Sequence, residues 1–276
     1  MNSENTVLFS VEAGVARITL NRPVSRNAMD LELARRLHRV LEDAAGDDQV
    51  QVLLLAGNGR LFCSGGDLRS IAATQDRGAL LRELVSSAHG AVRVLAGLDK
   101  PVVAAVQGSA AGAGLSLALV SDVVLAAPRT SFITAYTAVG LTPDCGQSWL
   151  LPRVVGLGRA LDLTLNPVKV SSEAARAMGI VKPYRAGGIA AAAGPPSCNP
   201  ARIRACAGTR PSPGSAQVWL RRRLRCASES RGRNNRPDGS HNSDRGLDRL
   251  FRCRGAVSRV REIQENHRRM LQCVTQ

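Results

Sequence analysis

Aromatic residues are scarce in this 276-residue chain, which has 4 Phe, 2 Trp and 2 Tyr. A nucleic-acid surface built on base-stacking rings therefore has little to draw on. No apolar run reaches the roughly 20 residues that a membrane-spanning helix needs. The start, MNSENTVLFS, has no basic stretch followed by an apolar one, so no secretory leader is expected. The seven cysteines form no CxxC pair and no Cys/His spacing suited to zinc, and an odd number argues against a closed disulfide framework. The expectation is a cytoplasmic protein that needs no membrane, metal or separate cofactor.

What the chain has in excess is positive charge, and the excess is local. The formal net charge is +15. Residues 1–181 carry 17 Lys and Arg against 16 Asp and Glu, whereas residues 182–276 carry 20 against 6. The same tail holds 9 Gly, 7 Pro and 19 Arg, and only 13 of its 95 residues are Leu, Ile, Val or Phe, too few to build a core. Two regions follow: a core over residues 7–181 and an atypical Arg/Gly/Pro-rich tail over 182–276, expected to be disordered or irregular. Within the tail, residues 256–274 have basic amphipathic spacing that suits a helix on a partner surface. The arginines from Arg221 to Arg225 could attract nucleic acid, but without interleaved aromatics nucleic acid is not the expected partner.

The core alternates strand and helix signals, which predicts an α/β fold. Val15 to Leu20 alternates as a strand and ends at Asn21-Arg22-Pro23. Leu33, Leu37, Val40, Leu41 and Ala44 fall at helical spacing after Asp30. Val50 to Ala56 and Pro101 to Val106 are apolar runs typical of buried parallel strands. A second helical pattern runs from Leu81 to Leu95; short strands are expected at 123–126 and 131–134, helices broken around Gly156 over 149–165, and a last helix capped by Ser171 or Ser172.

Two Gly-rich turns follow strands: Phe62 to Leu68, FCSGGDL, and Gln107 to Asp122, QGSAAGAGLSLALVSD. The second is expected to pass straight from strand to helix, and a helix start presents unpartnered N–H groups at the positive end of the dipole. Small residues at Gly112, Ala113 and Gly114 would let a ligand oxygen approach. One N–H from each turn, converging on a carbonyl oxygen, would stabilise the charge that grows as the carbonyl becomes an enolate.

With these turns in place the sequence resembles the crotonase, or enoyl-CoA hydratase/isomerase, superfamily. The resemblance spans about 7–181 and rests on NRPVSRNAM at 21–29, FCSGGDL at 62–68, KPVVAAVQGSAAGAG at 100–114 and GLTPDCGQSWLLPRVVG at 140–156. It implies a crotonase-like spiral of repeated β-β-α units, a homotrimer or hexamer, and an acyl-CoA thioester as substrate, with CoA part of that substrate. Matched by position, the resemblance assigns the oxyanion donors to Gly66 and Ala113. It places Arg26, Ser64, Gly65, Asp67, Leu68, Arg69, Gly112 and Tyr136 around the substrate, with Arg26 and Arg69 where some members contact CoA phosphates.

Hydratases of that family carry two glutamates where this chain has Ser116 and Tyr136, so the usual acid–base pair for adding water is missing. Asp144 stands where family isomerases carry a single catalytic aspartate, with Tyr136, Trp149 and Leu150 expected as an apolar wall. The resemblance thus implies double-bond isomerisation through an oxyanion-stabilised enolate, with Asp144 as acid and base. Two alternatives stand beside it: an enoyl-CoA hydratase of fatty-acid β-oxidation with an atypical site, and a decayed, non-catalytic crotonase-like protein whose sequence beyond Val181 has been frameshifted. On spacing alone, Asp144 reads as a turn aspartate after Pro143, Asp67 as a helix cap and His89 as a packed core residue. Aryl-CoA dehalogenases of the superfamily have a histidine and a nucleophilic aspartate matching His89 and Asp144, but Tyr136 replaces their tryptophan. Cys63 and Cys145 are expected to be ordinary buried or half-buried thiols.

Overall fold

The structure is a computed structural model that describes residues 6–182. Nearly all of the tail, including the basic segment 256–274, lies outside the described residues. Strands β1 (Val7–Glu12) and β2 (Val15–Leu20) form an antiparallel hairpin. The two residues between them, Ala13 and Gly14, have φ of 47° and 78°, the left-handed turn that matches strand twist. Helix α1 (Leu31–Gly46) follows; the Asp30 side chain accepts from the Leu33 N–H and caps it.

β3 (Val52–Gly57), β4 (Val102–Val106) and β6 (Val123–Ala126) extend the sheet in parallel, in the order β1-β2-β3-β4-β6. Every residue of β4 and five of the six in β3 are buried, as expected of apolar runs covered on both faces. Between β3 and β4 come α2 (Leu68–Ala73) and α3 (Arg77–Gly97). α3 lies along α1, and a Cβ at Gly90 would fall 2.3 Å from the His38 ring, so that crossing depends on a missing side chain. Lys100 Nζ donates to the carbonyls of Ala44, Ala45 and Asp47 at 3.0, 3.0 and 2.6 Å, closing the end of α1.

The second glycine-rich turn departs from expectation. A short strand, β5 (Ser109–Ala111), stands between β4 and helix α4 (Ala113–Val120). It pairs in parallel with β7 (Ser131–Ile133), which pairs with β8 (Val170–Ser171), giving a second sheet. Three small residues carry no periodic signal, and only pairing makes them a strand. All eight residues of α4 are buried. α5 (Gln147–Val155) and α6 (Leu157–Leu165) meet at Gly156, and Ser171 caps α7 (Ser172–Ala177), both as predicted. The described residues make a mixed α/β fold of stacked strand and helix turns.

Candidate active site

The two glycine-rich turns lie against each other. Phe62 N–H donates to Gln107 O, Cys63 N–H to Ser109 O and Ala111 N–H to Cys63 O, so the first turn is joined to β5 by a single parallel bridge, Cys63 to Ala110. Gly65, at φ 97°, leaves no room for a side chain: its Cβ would meet Ala111 O at 3.0 Å. A Cβ on Gly114 would stand 2.4 Å from Cys63 O. These glycines permit the close approach that brings the turns together.

Following the backbone donors shows which remain available. In the first turn, Ser64 N–H goes to Arg26 O, Gly65 N–H to the Cys63 thiol and Asp67 N–H to Met29 O. Among the described residues the Gly66 N–H has no partner. In the second, Gly112 N–H goes to Ile133 O, and the first bond within α4 is Ser116 N–H to Gly112 O. Ala113 therefore opens the helix with a free N–H at the positive end of its dipole. Gly66 and Ala113 both line one cavity of about 350 Å³.

A guanidinium holds the first turn in place. Arg22 Nη1 donates to Ala28 O at 2.5 Å and to Asp67 Oδ2 at 3.0 Å, while Nη2 pairs with Asp30 Oδ2 at 2.9 Å. Asp67 also caps α2 by accepting from Ser70 N–H. Buried Asn27 adds a second tie: its amide donates to Asn58 O and Leu61 O and accepts from Arg22 N–H. The NRPVSRNAM segment is thus the frame on which FCSGGDL is mounted.

Asp144 is the one carboxylate among the described residues lining the cavity. Tyr136 OH donates to its Oδ1 at 2.5 Å. The Asp144 carbonyl accepts from Gln147 N–H at 2.9 Å and has Ser116 Oγ at 3.4 Å, a hydroxyl whose single proton is shared with Gly112 O at 3.3 Å. The following amide, Cys145 N–H, donates to His89 Nε2 on α3 at 3.2 Å. Burial, and then the Asp144 charge beside it, push the Tyr136 hydroxyl above its ordinary range, so it stays protonated and serves as a donor. The same two causes raise the Cys145 thiol. Burial pushes Cys63 up to about 11 against the opposing Gly65 hydrogen bond. Both thiols are buried and neutral at ordinary pH, as expected.

The wall around Asp144 differs from expectation. Tyr136 lines the cavity, but Trp149 and Leu150 do not. Both sit on α5, where Leu150 points into the core and Trp149 lies under the Arg153 guanidinium, 3.1 Å from the ring centroid. The apolar wall comes instead from α3, through Leu81, Leu84, Val85 and Ala88, with Met29 and Ile71. Ser64, Gly65, Leu68 and Gly112 line the cavity with Gly66, Ala113, Tyr136 and Asp144. Asp67 does not; it is engaged by Arg22. Arg26 and Arg69 are exposed and outside the lining. His89 also lies outside it, but it is not a plain core residue: a ring nitrogen stands within 4.8 Å of an Asp144 carboxylate oxygen and the Cys145 thiol. Sequence reading missed the α3 wall, although those residues form its apolar stripe, and the bracing roles of Arg22 and His89, which have no sequence signal beyond the motif around Arg22.

The Enoyl-CoA hydratase/isomerase family matches residues 10–186. This chain belongs to the enoyl-CoA hydratase/isomerase family. It is 43% identical over 177 residues to the 1,2-epoxyphenylacetyl-CoA isomerase of Escherichia coli, covering 63% of this chain and 68% of that one. It is 39% identical over 180 residues to a probable enoyl-CoA hydratase of Rhodobacter capsulatus, covering 65% and 68%. A crystal structure of an enoyl-CoA hydratase from Mycobacterium avium subsp. paratuberculosis superposes with a TM-score of 0.64 at 30% identity, covering 91% of this chain and 93% of that one. Members of the enoyl-CoA hydratase/isomerase family act on acyl-CoA substrates, and the described part of this chain has the crotonase fold. Among the described residues no helix is long and apolar enough to cross a membrane.

Proposed function

We propose that this protein isomerises the double bond of an enoyl-CoA thioester. The observation that carries the reading is the pairing of one cavity carboxylate, Asp144, with two unpartnered N–H groups, Gly66 and Ala113, on the same cavity. The thioester oxygen sits between the two N–H donors. Asp144 takes a proton from the α-carbon, and the released electron pair moves through the carbonyl to give a dienolate with its charge on that oxygen. Asp144 then returns the proton at the γ-carbon, and the double bond has moved into conjugation. One proton leaves and one comes back, so no water, oxidant or metal is consumed.

Three features support this chemistry over hydration. Ser116 and Tyr136 are not carboxylates, so among the described residues Asp144 has no second carboxylate beside it in the cavity to form the acid–base pair of a hydratase. Tyr136 OH is held on Asp144, fixing the direction of the carboxylate. A relative from Streptococcus mutans, 38% identical over 181 residues, is named a trans-2-decenoyl-[acyl-carrier-protein] isomerase.

The test is direct. Purified full-length protein should convert a 3-enoyl-CoA to the 2-enoyl form, seen as the rise of thioester-conjugated absorbance, without forming a 3-hydroxyacyl-CoA. Asp144→Asn should lower kcat ~10²–10⁴-fold and leave acyl-CoA binding intact. Accumulation of 3-hydroxyacyl-CoA would instead support a hydratase with an atypical site. Binding without turnover in both proteins would support the decayed, non-catalytic reading.

A further inference from the structure

The turn that carries Asp144 is unusual in its backbone. Cys145 and Gly146 follow Asp144 with φ of 48° and 77°, two consecutive left-handed residues, the first of which is not glycine. A side chain disfavours that conformation, so something must hold it. Three elements supply the hold. Ser116 of α4 reaches the Asp144 carbonyl, Tyr136 reaches the carboxylate, and His89 of α3 accepts the Cys145 N–H at 3.2 Å.

We infer that His89 is a positioning residue: its imidazole Nε2 accepts the main-chain N–H of Cys145 and so holds the Asp144 carboxylate in its working direction. His89 lies outside the cavity lining, while Ala88 beside it and Leu84 and Val85 one turn earlier form the cavity wall. α3 therefore shapes the substrate wall and braces the carboxylate turn from one side, with Val85 and His89 one helical turn apart on the same face. The bond has a chemical requirement. A nitrogen that accepts from an amide carries no proton, so the neutral ring bears its hydrogen on Nδ1. With Nε2 accepting from the backbone, that nitrogen is not free to take a proton from a water in the cavity, although a ring nitrogen stands within 4.8 Å of an Asp144 carboxylate oxygen and the Cys145 thiol. That distinguishes this role from the one implied by the dehalogenase resemblance.

The inference rests on Asp144 as the proton shuttle, and its test separates the two claims. In the full-length protein, His89→Leu removes the acceptor at similar size, whereas His89→Gln can supply a carbonyl oxygen. The leucine variant should lose ~10–100-fold in kcat for 3-enoyl-CoA, the cost of a slightly misdirected carboxylate, with KM unchanged within about twofold. The glutamine variant should recover most of that loss. In an Asp144→Asn background, His89→Leu should cost little more, because both changes act on one group. Nitrogen-15 NMR of the wild-type histidines should show the His89 ring protonated at Nδ1 and bare at Nε2. Equal loss in both His89 variants, an undiminished loss in the Asp144→Asn background, or a proton on Nε2 would each overturn the inference. If the leucine variant does not fold, the glutamine variant and the tautomer decide. If the wild type fails to isomerise any enoyl-CoA, the functional reading falls, and the tautomer still reports whether His89 holds the turn.

Discussion

The two glycine-rich turns and the Asp144 turn border the same cavity, yet they are held by different means. FCSGGDL and the β5–α4 junction are fastened to each other mainly through backbone hydrogen bonds, at glycines whose Cβ atoms would strike a neighbouring carbonyl. The Asp144 turn is held largely by side chains, those of Tyr136, Ser116 and His89, from three separate parts of the chain. A site fastened through the backbone presents the same N–H groups whatever side chains surround it, which suits stabilising a carbonyl common to all thioesters. A site fastened through side chains can be redirected by one substitution, which suits the step that decides which product forms. The division agrees with relatives named both isomerase and hydratase.

The sharpest way to break the comparison is Gly114→Ala. Its new Cβ would lie 2.4 Å from a backbone oxygen, so α4 must move away from the first turn and carry the Ala113 N–H with it. We expect kcat to fall ~100-fold, the effect of losing one oxyanion donor. Gly158→Ala is the control: it lies on α6 outside the cavity lining, a Cβ there meets nothing within 4 Å, and kcat should stay within about twofold of wild type. A wild-type kcat in Gly114→Ala would show that the turns are not joined through glycine packing.

Of intermediate size is an alkaline loss of stability that the two regions share. Each contains a buried thiol raised above its ordinary value, Cys63 to about 11 from 9.0, and Cys145 upward as well. Between these values the unfolded chain releases a thiol proton that the folded chain keeps, so the unfolded state binds fewer protons and stability falls as pH rises. The stability is fully present below pH 9. Cys63 alone should cost about 2 kcal/mol by pH 11. Denaturant melts from pH 8 to 11 should show this slope, flattened in Cys63→Ala. A wild-type slope in that variant would place the titration elsewhere.

The smallest effect is expected from Tyr136→Phe, which keeps the ring on the cavity wall and deletes the donor to Asp144. Losing one hydrogen bond to a retained carboxylate should lower kcat roughly fivefold, with KM little changed. A drop as large as that of Asp144→Asn would make the hydroxyl a proton carrier in its own right.

These regions also differ in how far they can be read without coordinates. Glycine spacing after apolar strands marks both glycine-rich turns, because close backbone approach excludes side chains and leaves glycine as the visible trace. The helix caps at Asp30 and Ser171 and the break at Gly156 were legible for the same local reason. β5 was not, since three small residues become a strand only by pairing with β7. Trp149 and Leu150 are near Asp144 in sequence, but the winding of α5 turns them away, and the stretch of α3 from Leu81 to Ala88, 56 to 63 residues before Asp144, takes that place.

By itself the sequence determined the alternation of strands and helices and the two glycine-rich turns, through period and glycine conformation. Asp144 as the candidate base came from the family resemblance, since its spacing alone reads as a turn aspartate after Pro143. Only the tertiary structure decided that Arg22 clamps the first turn through Asp67, that α3 walls the cavity, and that His89 supports the turn behind Asp144. Those relations join residues 45 to 56 positions apart. Such contacts depend on which faces of α1, α3 and α4 the buried core brings together, and nothing in the local spacing of the chain records that choice.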